Sequence, residues 1–258
     1  MDDSPYDSLA DLHGGEERWA FGTGFDDPLA GVDTAVPADV DPRALARECL
    51  ALGDDALVLS QRLAQWCSNA PELEDDVAMA NIALDLLGQA RLLLTRAAHA
   101  DPGVRPGRAP AHVPEEDALA YFRDADEFTN VALAEVDDEG DFARAIVRLL
   151  AMSGGRLATM RRLANSPDPV LAAIAARAVS ELRYHVDYAS GWALRLDNGT
   201  EYSSDRMQAA RAHLAPWLAE LAHGGDASPG RRGEHTSELA ALLADMQSLA
   251  RALPAGSW

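Results

Sequence analysis

The sequence predicts an all-α protein, a helical bundle with additional short helices. Apolar residues recur at three- and four-residue spacings over long stretches, and no stretch shows the apolar–polar alternation of a strand. Capping patterns such as Asp168-Pro169 mark where helices open. With 258 residues and 48% hydrophobic content the chain can bury a sizeable core, expected as one bundle over 42–258 behind a flexible N-terminal arm over 1–41.

The arm is rich in Gly, Asp and Pro, and its scattered aromatics Tyr6, Trp19, Phe21 and Phe25 keep no period. From Arg43 to Ser68, Leu45, Cys49, Leu52, Leu59, Leu63 and Trp66 share one helical face, with an interruption expected at Gly53. Asn69-Ala-Pro-Glu72 reads as an N-cap with Pro in the first turn, opening a helix that runs to about Ala100. There Leu73, Val77, Ala80, Leu84, Leu87 and Leu94 form one stripe, and Met79, Ile82, Leu86 and Leu93 another. A helix apolar nearly all round is expected in the middle of a bundle.

Four prolines and two glycines make 101–114 a loop, followed by short helical turns at 115–122 and 126–134. Long helices are predicted from Asp141 to Asn165 and from Asp168 to Asp197, the second closed by left-handed residues at Asn198-Gly199. Ser203–His223 and His235–Leu253 complete the set, separated by a Gly/Pro/Arg loop.

A formal net charge of −20 argues against nucleic acid or an anionic membrane as partner, since phosphate binding draws on clustered cations. All 22 basic residues are Arg, and Asp recurs in pairs, among them Asp54-Asp55, Asp75-Asp76 and Asp137-Asp138. Two readings stand: genomic base composition, or adaptation to high salt, where carboxylate repulsion is screened over about 3 Å at about 1 M rather than about 10 Å at 0.1 M. Cys49 and Cys67 form no CxxC and no zinc spacing. No run of 18 apolar residues occurs and the N-terminus is acidic, so a cytoplasmic location is expected.

Polar residues on apolar stripes carry the functional signal. Asn81, Asp85 and Gln89 are spaced by four; Arg177, Glu181, His185, Tyr188 and Trp192 by three or four; Gln61 and Gln65 repeat the pattern on the first helix. Bundles that hold carboxylate-bridged di-iron use a Glu from each of two helices and a Glu-x-x-His from each of two others. Here Asp85-Leu-Leu-Gly88 has no ligand atom at the imidazole position. Glu181-Leu-Arg-Tyr184 has its imidazole, His185, one residue late, or about 100° around the helix. Gln61 and Gln65 replace a Glu. Glu220-Leu-Ala-His223 is an intact motif, but it ends a helix, where a His is favourable without metal. Gln61, Gln65, Asp85, Gly88, Glu181, Tyr184 and His185 are therefore read as degenerate di-iron positions in a buried polar network. A carboxylate in a core needs partners, and Arg91, Arg177 and Arg183 are the candidates. An interface role and metal binding by Asp85, Glu181 and His185 are the alternatives. No phosphate loop, Gly-x-Ser-x-Gly elbow or His-Glu-x-x-His motif occurs.

Leu52-Gly-Asp-Asp-Ala-Leu-Val-Leu-Ser-Gln-Arg-Leu63, Ala70-Pro-Glu-Leu-Glu74, Asn81-Ile-Ala-Leu-Asp-Leu-Leu-Gly-Gln-Ala-Arg91, Glu181-Leu-Arg-Tyr-His185, Gly191-Trp192 and Asp245-Met-Gln occur in that order. Together they resemble the family of the metal-free, structural C-type component of the ring 1,2-phenylacetyl-CoA epoxidase, over roughly Leu45–Ala222 and Gly233–Trp258. The resemblance implies a ferritin-like fold and a structural role within the monooxygenase of aerobic phenylacetate breakdown. It further implies a hetero-oligomer with the catalytic ferritin-like component, which carries the di-iron centre, with a further small component, and with a reductase using FAD, a 2Fe-2S cluster and NADPH. The arm has no counterpart in that family, and 222–233 is shorter than its pattern. Two other functions stay open: a di-iron oxygenase in its own right, and a self-assembling bundle without a partner.

Overall fold

The structure is a computed structural model that describes residues 29–223 and 235–252. Among them are seven α-helices: α1 (Pro42–Ala64), α2 (Leu73–Ala100), α3 (Glu115–Tyr121), α4 (Phe142–Leu163), α5 (Pro169–Asp197), α6 (Glu201–His223) and α7 (Glu238–Ala252). Three short 3-10 turns lie at Pro102–Val104, Ala125–Glu127 and Ala132–Ala134, and no strand occurs among the described residues. The long helices α1, α2, α4 and α5 form a ferritin-like four-helix bundle, α1 against α2 and α4 against α5. Helix α6 packs chiefly along α4, and α7 against α3.

Local chemistry explains the starts of three long helices. Asp41, Asp141 and Asp168 each accept a backbone N–H of the first turn, from Arg43, Ala143 and Leu171 at 3.0, 2.9 and 2.8 Å. Pro42 and Pro169 occupy the first helical position, where no N–H is needed.

Four expectations require correction. Helix α1 passes through Gly53 without a break, because the missing side chain lets α2 approach: a Cβ there would lie 2.9 Å from Leu94 Cδ2. Helix α2 begins at Leu73, after Pro71, with Glu72 at the cap making no side-chain bond; the first turn is instead acidic, with Glu74, Asp75 and Asp76. Asn198 and Gly199 do not supply a left-handed close. Asn198 sits at φ −104° and its Nδ2 donates to Leu194 O at 2.8 Å, while a Cβ on Gly199 would crowd Ser203 Oγ at 2.8 Å. Finally, α2 is not surrounded. Met79, Ile82, Leu86 and Leu93 are buried, but Leu73, Val77 and Leu84 are 73%, 54% and 64% exposed, because α6 and α7 pack elsewhere. By length and composition α2 could cross a membrane, yet half of its most apolar stretch is buried inside the bundle.

The core falls into two apolar clusters that separate along α1, α4 and α5 and interleave on α2. One takes Ala56–Leu59 and Leu63 from α1, Met79–Leu86 positions with Ala90, Leu94 and Ala98 from α2, Ala145–Met152 positions from α4, and Ala189 and Ala193 from α5. The other takes Leu45–Leu52 positions from α1, Leu93–Ala100 positions from α2, Leu157–Leu163 positions from α4, and Val170–Leu182 positions from α5. Leu29, Val32, Val36 and Val40, ahead of α1, pack against this second cluster.

Several of the paired aspartates are structural. Asp54 is fully buried, salt-bridged to Arg123 and accepting the N–H and hydroxyl of Thr129 at 2.8 and 2.9 Å. Asp55 accepts the N–H of Val131 at 2.8 Å. Asp138 accepts from Trp66 Nε1 at 2.9 Å and Arg148 Nη2 at 2.7 Å; burial pushes its carboxyl up despite the pull of Arg148. These bonds tie the stretch 122–141, whose only helical parts are two 3-10 turns, to α1, the turn after it, and α4.

Candidate functional site: a polar waist between two apolar halves

Where the two clusters meet, all four long helices contribute polar groups. On α4 the buried Arg156 donates from Nε to Gln89 Oε1 of α2 at 2.9 Å and from Nη1 to the Leu52 carbonyl of α1 at 2.8 Å. Gln89 in turn donates from Nε2 to Glu181 Oε2 of α5 at 2.8 Å, and Arg177 Nε donates to Glu181 Oε1 at 3.0 Å. One turn away His185, wholly buried, meets Asp85 Oδ2 through Nε2 at 3.0 Å. Facing a carboxylate, Nε2 carries the proton and donates. Nδ1 of His185 and Oγ of Ser153 are buried and make no hydrogen bond among the described residues.

The waist belongs to a longer series of cross-links between α2 and α5, which run antiparallel. Beyond Gln89–Glu181 and Asp85–His185, Asp75 accepts from Tyr188 Oη at 2.9 Å and Trp192 Nε1 at 2.8 Å. Burial, and then the bond to Asp75, push the Tyr188 phenol far up. Toward the other end Arg96 salt-bridges Asp168 and donates to Thr34 O at 2.6 Å. Partner residues on α2 rise from 75 to 96 as those on α5 and its cap fall from 192 to 168, so the two polar stripes close on each other rung by rung.

The structure brings Asp85, Glu181 and His185 together, while Gly88 stands open beside them, with nothing within 4 Å of where its Cβ would be. An open cavity of about 370 Å³ adjoins, lined by Leu84, Asp85, Gly88, Gln89, Arg177 and Glu181 among others. Gln61 and Gln65 stand apart from this group. Gln61 lies nine residues past Leu52, whose carbonyl meets the waist, or about 13 Å further along α1 at 1.5 Å per residue. Gln65, exposed at the end of α1, accepts from Arg62 Nη1 at 3.2 Å. Tyr184 is half exposed and meets the rings of His185 and Tyr188 at 6.3 and 6.4 Å. Of the candidate cations only Arg177 serves Glu181; Arg91 bonds Glu116 of α3 at 3.1 Å and Arg183 is exposed. Glu220 and His223 both lie on α6, but the pairing of their side chains falls outside what the structure describes.

Sequence reasoning missed Arg156 and the Leu52 carbonyl. Ser153 and Arg156 interrupt the apolar stripe of α4 just as Asp85 and Glu181 interrupt theirs, so the same signal could have found Arg156. A backbone carbonyl leaves no such mark.

The donor set does not fit a pair of irons. Such a centre takes carboxylates from four helices and two imidazoles. The waist has one imidazole, already held by Asp85, and a second carboxylate held by Arg177 and Gln89, with a fixed guanidinium charge on α4. Among the described residues no three His, Cys, Asp or Glu side chains converge for any metal ion.

The chain is similar to known proteins over most of its length. It is 39% identical over 251 aligned residues to the C component of 1,2-phenylacetyl-CoA epoxidase from Escherichia coli (strain K12), an alignment spanning 81% of this chain and 97% of that relative. The family described as Phenylacetic acid catabolic protein matches residues 30–229, so its pattern begins within the segment read from sequence as an arm. By both comparisons this chain belongs to the phenylacetic acid catabolic protein family.

Proposed function

We propose that the chain is a non-catalytic structural subunit of a multicomponent ring 1,2-phenylacetyl-CoA epoxidase, in which it packs against and supports the catalytic di-iron component. A further small component and a reductase with FAD, a 2Fe-2S cluster and NADPH complete this cytoplasmic hetero-oligomer, and neither nucleic acid nor membrane takes part. The chain itself contributes residues 42–258 as a bundle and 1–41 as an arm. The degenerate positions Gln61, Gln65, Asp85, Gly88, Glu181, Tyr184 and His185 do no chemistry in this reading.

One observation carries the reading: the guanidinium of Arg156 and the amide of Gln89 stand where four helices meet, already bonded to one another. A bound cation there would face a fixed positive charge in a poorly screened interior. The test is co-expression of the chain with the catalytic component, followed by purification and metal analysis of each. The expected outcome is a stable complex with iron confined to the catalytic component. Two irons per chain in the isolated protein, with oxygen consumption, would establish instead a di-iron oxygenase built on Asp85, Glu181 and His185.

A further inference from the structure

We propose that the outward row of α2, Leu73, Val77, Ala80, Leu84 and Leu87, is the seam on which a helix of the catalytic component docks. This rests on the reading of the chain as a structural subunit, and it names the face that reading leaves open.

The row is set by its spacing. Successive members are four, three, four and three residues apart, the heptad pattern that keeps one apolar line on the same side of a helix. On a helix already committed to a core, that line would be expected to point inward. Here the inward work is done by Met79, Ile82, Leu86 and Leu93, and the heptad row faces out with Leu73, Val77, Leu84 and Leu87 all exposed. Roughly fifteen residues of helix extend about 22 Å, long enough for two heptads of interdigitating side chains. Isolated exposed leucines are ordinary, but a continuous apolar row of this length marks an interaction surface. The next heptad position is Arg91, which is exposed and ion-paired to Glu116, so the seam has a defined end. Tyr184, exposed on α5 beside the His185 rung, lies at the height of Asp85 and offers an aromatic side chain to the same partner.

Charge selects the occupant. Glu72 and Glu74 stand exposed at the start of the seam, while the cations nearest its far end, Arg91 and Arg177, are tied to Glu116 and Glu181 of this chain. What the seam presents outward is therefore apolar with an acidic flank. A second copy would bring the same acidic flank and another formal −20 charge, so like charges would oppose the pairing. The matching surface is a helix with its own four–three apolar row and Arg or Lys beside it, lying in the helix-against-helix mode of recognition.

The test uses the full chain and the catalytic component, with binding measured by titration and fold checked by circular dichroism. Leu84→Arg with Leu87→Arg alters exposed positions only, so helicity should be unchanged while affinity falls by at least about 100-fold. Glu72→Arg with Glu74→Arg should weaken binding by about 3- to 10-fold and flatten its salt dependence, leaving the apolar row intact. If wild type fails to bind the catalytic component, the functional reading itself is overturned. If wild type binds and the double Leu→Arg variant binds within a few-fold of it, the functional reading survives and the seam is elsewhere. Self-association of wild type that the same variant abolishes would assign the seam to a second copy and overturn the choice of partner.

Discussion

Arg96 and Asp168 are both nearly inaccessible to solvent, at 2% and 1% exposure, and each satisfies several groups: Arg96 also reaches Thr34 O, and Asp168 caps α5 through Leu171 N. Removing one partner of such a pair leaves the other charge buried alone, a loss of about 3–5 kcal/mol. Arg96→Ala should lower the unfolding free energy by that amount in urea titration, and Arg96→Met with Asp168→Asn should recover part of it; a loss below about 1 kcal/mol would contradict the burial argument. At the waist, a side chain with a polar end on an apolar stripe is legible in sequence, and that signal identifies Asp85, Glu181 and His185. Gln61 and Gln65 mislead because α1 meets the waist through the Leu52 carbonyl, which no side chain announces. The buried aspartates are unreadable for a related reason. Asp54, Asp55 and Asp138 bond to partners 10 to 76 residues away, and composition alone cannot separate a paired aspartate from a solvated one.

Single elements show how the same residue type serves opposite needs. Gly53 is a close approach, so Gly53→Ala should push Leu94 aside and cost about 1–3 kcal/mol. Gly88 sits in an equally regular helix with open space around it, so Gly88→Ala should stabilise the isolated chain by up to about 1 kcal/mol. Opposite signs in denaturant titration are the expected result. The approach to α7 is held by His235, whose Nδ1 and Nε2 lie 2.6 Å from Glu135 Oε1 and 2.9 Å from Phe128 O. Thr236 adds its N–H and hydroxyl to Glu135 Oε2 at 2.6 and 2.8 Å. His235→Ala should leave the four-helix bundle folded and raise hydrogen exchange selectively in Glu238–Ala252. The α5–α6 turn should respond to acid. The Asp197 carboxyl is held low by its hydrogen bond from Arg211, so its contribution is present above the carboxylate range and lost as pH falls through it. Arg211→Ala should remove that acid dependence from the turn, as read by exchange near Asn198.

At the scale of the whole molecule, a formal charge of −20 without any lysine predicts that ionic strength affects stability. Raising salt from about 0.05 to about 1 M shortens the range of repulsion several-fold, and the melting temperature should rise with it; equal helicity and equal melting in dilute and molar salt would assign the acidity to base composition alone. Element number, order and most boundaries are legible because period and caps act locally. The fate of the α2 faces is not, since two apolar stripes look alike until α6 and α7 choose a side. The rungs between α2 and α5 have a mechanical consequence. Leucine-rich rods can slide past one another by a full turn, about 5.4 Å, and still find greasy neighbours. With Asp75, Asp85, Gln89 and Arg96 each engaged by a different residue at the α5 side, such a slip would strand every one of them at once. The waist and its rungs thus act as a vernier: they fix one axial setting of the bundle, and with it the height at which any surface on α2 is offered to a neighbour.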